Sequence, residues 1–416
     1  CVVGGGPAGM VLGWLLARAG VDVIVLEKHA DFFRDFRGDT IHPSTLELMY
    51  ELGVLDDFLR LPHTRMDHLD LDILDERVPG PDFRKLPTHC KFIAMMPQWE
   101  FLDFVKRQAS AYPSFRLIME ASATELVRNG DRITGLVAKT PTEHLEIRAD
   151  LVVGADGRHS VIRDRAELPR RDLGAPIDVL WLRIPRLASD GEQLLGIMAR
   201  DKFLAMLNRG DYWQCAYLIP KGGLDALKQR GLVAFRNDLR SLAPFLENRV
   251  DRIESWDDIK LLTVVVDRLE RWWSPGLLCI GDAAHAMSPV GGVGINLAIQ
   301  DAVATANRVA KPLLDGTLMT KDLAAIQARR EPAARRIQAL QIAMHERVLA
   351  KVLAGHGERV LRTMRFVLKH TPAVRHYMAR TLGVGRIEHV APVSKTPPIY
   401  PREAAASGTS EHRTAR

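Results

Sequence analysis

The stretch CVVGGGPAGM (residues 1–10) decides how the rest of the chain is read. Two valines lead into glycines at positions 4, 6 and 9, and VLGWLLARAG (11–20) continues with helical spacing to Gly20. VDVIVLEK (21–28) is a continuous apolar run, the signature of a parallel strand covered on both faces. Strand, glycine turn, helix and strand in that order make an anion site. Gly4, Gly6 and Gly9 let the chain turn tightly and let a pyrophosphate approach the backbone, and the unpaired N–H groups of the helix beginning at Pro7 and Ala8 point at it. Glu27 ends the second strand about 20 residues on, where a carboxylate accepts from ribose hydroxyls, and Lys28 follows it. A buried first strand usually has ~5–6 residues, so a few residues are expected ahead of Cys1.

At 416 residues, with 47% apolar residues, the chain has enough material for two domains and a helical addition. No apolar run reaches the ~20 residues of a membrane span. The four cysteines, Cys1, Cys90, Cys215 and Cys279, form no CxxC pair, which argues against a disulfide framework or a zinc site and for a reducing cytoplasm. The net charge is +6, with much of the positive charge in segments such as QARREPAARR (327–336). Little aromatic surface accompanies it, so a solvated basic face is expected there rather than a nucleic-acid groove.

Two further motifs follow. LLCIGDAAHAMSPVGGVGINLAIQDA (277–302) runs from a strand through Gly281 and Asp282 into a second glycine-rich loop and helix. A strand-end aspartate can accept from a polyol chain. The backbone from Gly292 through Gly294 and Ile295 to Asn296 would set a helix N-terminus against an electron-rich heterocycle, where the dipole stabilises negative charge on a reduced flavin. A nicotinamide needs no such second site; a ribityl-linked ring does. DLVVGADGRHSVIRD (150–164) places Asp156 and Gly157 at another strand end, with Ser160 and Arg163 after it.

These three segments, in this order, resemble the group A flavoprotein monooxygenases, the para-hydroxybenzoate hydroxylase-like family, over residues 1 to about 310. The resemblance implies an α/β fold: a Rossmann-like FAD-binding domain with an inserted, mostly antiparallel substrate sheet and C-terminal helices. It implies FAD held by Gly4, Gly6, Gly9 and Glu27 at the ADP half, by Arg37 and Gln98 along the chain of the cofactor, by Asp282 at the ribityl group, and by Gly294, Ile295 and Asn296 at the ring. Pro289 falls near flavin and substrate, and Asp156 and Gly157 fill the family's DG motif. The implied reaction has NAD(P)H reduce FAD, dioxygen add at flavin carbon 4a, and the distal oxygen of the hydroperoxide pass to an aromatic or quinol-like ring. No second glycine fingerprint is present for the nicotinamide, which suits docking in a surface groove.

The pattern of elements divides the chain into an FAD-binding part over 1–174, with a strand-containing excursion at about 65–97, a substrate sheet over 175–268, and a return to the FAD-binding part over 269–320. C-terminal helices over 321–390 and a loose tail over 391–416 complete it. LKQRGLVAFRNDLRSLAPFL (227–246) reads as one helix, and STLELMYELGVLDDFLRL (44–61) as another capped by Ser44. In LAMLNRGDYWQCAYL (204–218), strand alternation sends one of Met206 and Leu204, and one of Trp213 and Tyr217, toward a substrate pocket, with the register open by one residue. His42 stands at a helix entry beside the expected flavin edge, and His285 is expected to fix the GD turn. No catalytic acid or base can be named. A monomer or homodimer is expected, and the basic amphipathic C-terminal helices leave room for peripheral membrane contact. An FAD-dependent reductase of the geranylgeranyl reductase type and a non-turnover FAD-binding protein are the competing functions.

Overall fold

The computed structural model describes residues 1–33, 40–191 and 195–392. Arg37 and residues 393–416 of the expected tail lie outside them.

The opening segment forms the middle of a six-stranded sheet. Its strand order is Trp273–Ser274, Leu277–Cys279, Val152–Gly154, Val2–Val3, Val23–Leu26 and Phe115–Ile118. All neighbours are parallel except the first pair. The helix Pro7–Arg18 buries nearly all of its length, Trp14 included, because the strand and helix come unusually close. A Cβ at Gly9 would overlap the carbonyl oxygen of Gly4, and one at Gly13 would lie 2.6 Å from Val25. The parallel order also brings the three glycine-bearing turns, after Val3, Gly154 and Cys279, to the same end of adjacent strands, which is where ligands bind in open α/β sheets.

A second sheet has seven strands in the order Lys260–Leu262, Ile177–Pro185, Tyr212–Pro220, Phe203–Asn208, Leu195–Met198, His68–Ile73 and Glu76–Asp82. It is antiparallel except where Leu195–Met198 runs parallel to His68–Ile73. The strands from the 65–97 excursion thus extend the sheet built from residues beyond 175, a pairing that no local pattern signals. One face of this sheet packs on helices Leu224–Gln229 and Leu232–Leu242, with Phe235 buried edge-on against Tyr217 at 5.2 Å. These are two helices rather than the one expected, because Gly231 adopts a left-handed backbone (φ +88°) between them. The stretch after residue 43 is likewise split at Gly53 (φ +72°) into Pro43–Glu51 and Leu55–Leu59. Its cap position is His42 rather than Ser44, since Pro43 takes the first helical position, where a missing N–H costs nothing.

The C-terminal part is helical: Thr320–Met344 runs through a π-helical turn, His345–Leu349, into Ala350–Leu353, and Glu358–His370 and Pro372–Gly383 follow. Among the described residues no helix is long and apolar enough to cross a membrane, and no cluster of metal-ligating side chains occurs.

Candidate FAD site

The first turn is shaped by the chain itself. Gly4 takes φ +108°, and a Cβ there would overlap Ala155 O and lie 2.9 Å from the Asp156 Cα, so the glycine loop rests directly on the DG turn. Glu27 is buried, and its carboxylate accepts from Gly5 N (2.9 Å) and His29 N (3.0 Å). The carboxylate expected at a ribose therefore also braces the loop, and a Cβ at Gly5 would lie 2.8 Å from the Glu27 Cβ and 2.9 Å from its Oε2. Lys28 is exposed beside it.

The DG turn joins the other two motifs. Asp156 accepts from Ser160 Oγ (2.5 Å) and Ile162 N (3.2 Å), fixing the short helix Val161–Arg165; burial pushes its pKa up despite these bonds. The buried Arg163 reaches Arg158 O at 3.0 Å and Ala283 O at 3.5 Å. Arg158 stands 3.7 Å from Asp282, whose side chain is one-third exposed at the strand end. Gly281 (φ +59°) would place a Cβ 3.0 Å from Ala298 and 3.4 Å from Ala8, so both glycine-led helices converge on it. All three turns thus line one edge.

Behind the GD turn lies a network that the sequence does not announce. Asp301 Oδ2 accepts from Gly281 N (3.1 Å) and His285 Nε2 (2.6 Å), and Oδ1 from Arg330 Nε (2.8 Å); Arg330 also meets Glu388 at 3.0 Å. Burial alone would raise the Asp301 pKa, but His285 and Arg330 outweigh it and hold it below the ordinary carboxylate value. His285 fixes the turn, as expected. Arg330 corrects the expectation of a solvated face at 327–336: it is fully buried because it is the counter-charge of Asp301 and Glu388.

The second glycine loop is stapled to the segment around Thr40. Thr40 Oγ1 donates to Gly292 O (2.9 Å); Asn296 Nδ2 donates to Thr40 O (3.0 Å), and its Oδ1 accepts from His42 N (2.9 Å) and Thr45 Oγ1 (2.8 Å). The Asn296 side chain is thereby committed to the staple, which leaves its backbone N–H, with those of Gly294 and Ile295, as the groups offered at the helix start. Pro289 is half-buried, its carbonyl closing the loop on Gly292 N (3.0 Å). Gln98 is buried at the start of the helix Gln98–Ala109, just after the strand Ile93–Met95 that pairs with Thr40–Ile41. His42 is buried, its Nδ1 2.7 Å from Leu382 O, and burial pushes its pKa down to about 4; the imidazole is neutral and structural.

Two side chains from the C-terminal helix support the same loop. Gln341 donates to Ser288 O and Val290 O (2.9 Å each) and accepts from Ser288 N (3.2 Å); His345 Nε2 lies 2.8 Å from Ser288 Oγ. Gln338, one turn earlier, donates to Asp267 O and Ala286 O. The signal available for them is a polar stripe at i, i+3 and i+7 on an otherwise apolar helix face.

The sheet register corrects the pocket candidates. Met206, Trp213 and Tyr217 share a face with Leu204 and Cys215 and lie in the core under the helices of residues 224–242. The opposite face presents Phe203, Ala205, Ala216, Leu218 and Trp181, clustered with Val290 of the glycine loop. All of the four earlier candidates sit on one face because Leu204, Met206, Trp213 and Tyr217 are paired or diagonal across one ladder. Burial also pushes the Tyr217 phenol upward, so it is no ready base.

The residues fit FAD. At Gly6, Gly157 and Gly294 an added Cβ would meet nothing within 4 Å, so the backbone is open at each of the three turns. The helices Pro7–Arg18 and Gly294–Leu314 both begin without a side-chain cap and without an acidic residue in the first turn, which leaves their N–H donors for an anion.

A family model described as an FAD binding domain matches residues 1–340. The chain is 33% identical over 383 residues to the 6-methylpretetramide 4-monooxygenase of Streptomyces rimosus, covering 91% of each protein. It is 28% identical over 323 residues to a rifampicin monooxygenase of Streptomyces venezuelae, covering 72% of this chain and 61% of that longer protein. Its fold is similar to that of an anhydrotetracycline hydroxylase from Streptomyces rimosus, with a TM-score of 0.73 at 21% identity over 95% of this chain and 77% of that one. The chain belongs to the para-hydroxybenzoate hydroxylase-like family of FAD-dependent monooxygenases and is an enzyme that hydroxylates an aromatic compound.

Proposed function

We propose that the substrate is a fused-ring phenol of the aromatic polyketide type. The observation that carries this is the end-to-end similarity to 6-methylpretetramide 4-monooxygenase, spread over 91% of both chains rather than confined to the cofactor motifs. The apolar character of the sheet face beside Val290 supports it. Phe203, Ala205 and Trp181, half-buried on that face, offer shape and stacking surface.

FAD, when bound, supplies the redox and oxygen-activating chemistry, with NAD(P)H as reductant. The chain's residues place and shield it. Gly6 and the N–H groups following it take the pyrophosphate, and Glu27 the ribose. Asp282, oriented by Arg158, takes the ribityl hydroxyls. The N–H groups of Gly294, Ile295 and Asn296 offer donors where negative charge develops on reduction. The clamp from Gln341 and His345 fixes Ser288–Val290 between cofactor and substrate face, and the apolar sheet wall excludes water that would divert the oxygen. In this arrangement the region of the six-stranded sheet serves the cofactor and the seven-stranded sheet the substrate.

The test is a panel of phenols from one to four fused rings, scored for stimulated NAD(P)H oxidation and for product one oxygen atom heavier. Fused-ring phenols are expected to give both. Oxygenated product from single-ring phenols alone would refute the substrate class.

A further inference from the structure

A cleft of about 190 Å³ opens where the starts of helices Pro43–Glu51 and Gly294–Leu314 meet the helices Thr320–Met344 and Pro372–Gly383. Its rim carries Arg336, Arg380 and Arg386, and its lining contains no aspartate or glutamate. Among the described residues none of the three guanidinium groups has a carboxylate partner. On the same helix as Arg336, by contrast, Arg329, Arg330 and Arg335 are each paired. The backbone beneath Arg386 is anchored: Arg330 donates to its carbonyl at 3.4 Å, and Glu388 N donates to Gln300 Oε1 at 2.5 Å. The lining mixes apolar residues such as Val293, Leu297 and Ile337 with the buried polar Ser44, Asn296 and Gln300, and Tyr377 stands exposed at the mouth. Three cations without carboxylate partners around one cleft, with an aromatic ring at the edge, suit an anion that carries flat heterocycles.

We propose that this cleft receives the phosphate groups of the reduced nicotinamide dinucleotide. The inference rests on the reading of the chain as an NAD(P)H-using monooxygenase. That reading requires a ligand with several phosphate charges to dock, and no second glycine fingerprint exists to hold it. The arginine cleft runs along Val293, Asn296, Leu297 and Gln300, one flank of the helix whose first turn is assigned to the flavin ring.

The test uses holoenzyme with Arg336, Arg380 and Arg386 changed to glutamine, singly and together. All three are exposed, so FAD content and thermal midpoint are expected to stay at wild-type values. Saturation-transfer NMR of NADP⁺ and NAD⁺ reads binding without turnover, and anaerobic flavin bleaching reads it through the half-saturating NAD(P)H concentration. The triple variant is expected to lose the NMR signal and to need at least roughly tenfold more NAD(P)H, as expected for lost charge-assisted contacts. Inorganic pyrophosphate should compete in the wild type only. An unchanged coenzyme dependence in the triple variant overturns the assignment. So does a thermal shift with pyrophosphate that the triple variant loses while its coenzyme dependence stays the same, which would mark a site for a different phosphate. Wild-type holoenzyme that binds neither coenzyme removes the oxygenase reading as well; one that binds and bleaches normally while the variant matches it removes only the cleft.

Discussion

Glycines that look alike in GGGPAG do different work. Gly9 is required by packing, since a Cβ there would overlap Gly4 O, whereas Gly6 faces open space and is required only if a phosphate comes close. Gly9→Ala is therefore expected to destabilise the FAD-free protein by about 1–3 kcal/mol. Gly6→Ala should leave that stability within about 1 kcal/mol while FAD occupancy collapses. Thermal denaturation of stripped protein and flavin absorbance per chain separate the two, and full flavin retention by Gly6→Ala would contradict phosphate approach at that residue. His42 gives a pH signature. Burial holds its pKa at about 4, below the unfolded value of 6.5, so the unfolded chain binds the proton first. The stability due to neutral His42 is complete above pH 6.5 and is lost as pH falls toward about 4, on the order of 3 kcal/mol in all. His42→Asn, which keeps a donor for Leu382 O, should remove that part of the slope in chemical denaturation between those pH values. The glycines were readable because their spacing is local. The Asp301–His285–Arg330–Glu388 network was not, because its bonded pairs are 16 to 58 residues apart and a buried arginine looks in sequence like any surface one.

At the level of single elements, periodicity located the strands but not which face serves which neighbour. Alternation in residues 203–218 is the same whichever side carries the substrate; the choice is made by helices Leu224–Gln229 and Leu232–Leu242, which cover the face of Met206, Trp213 and Tyr217. The helix break itself follows from Gly231, whose left-handed backbone no periodicity predicts. Two substitutions on adjacent residues test the assignment of faces. Ala205, half-buried and clustered with Val290, should accept Phe with little change in stability and with a raised KM for the aromatic substrate. Met206→Ala, emptying a fully buried site on the other face, should cost about 2–5 kcal/mol and leave KM unchanged. The opposite pattern in steady-state kinetics and urea denaturation would return the pocket to the Met206 face.

Over the whole molecule, the order of three turn motifs along some 300 residues was enough to infer the cofactor domain, because parallel strand order brings strand ends together. The chain beyond Ala302 carried no such motif, yet it holds the site in place. Gln341 and His345 grip the second glycine loop, Glu388 neutralises Arg330, and residues 389–391 are tied across two helices by Glu51 and Asn307: Val390 N donates to Glu51 (2.7 Å), Ala391 N to Asn307 (2.9 Å), and His389 pairs with Glu51. A chain ending at Val384 lacks Glu388 and these ties, leaving Arg330 with one carboxylate where it had two, in a site that water does not reach. Such truncation is expected to cost about 3–5 kcal/mol, the usual result of breaking a buried ion pair from one side. Because Asp301 also holds Gly281 N, the loss should extend to FAD retention. A chain ending at Pro392 keeps every one of these bonds, and its thermal midpoint and flavin content should match the full-length protein. If both truncations behave alike, the C-terminal segment is not the strap that its hydrogen bonds describe.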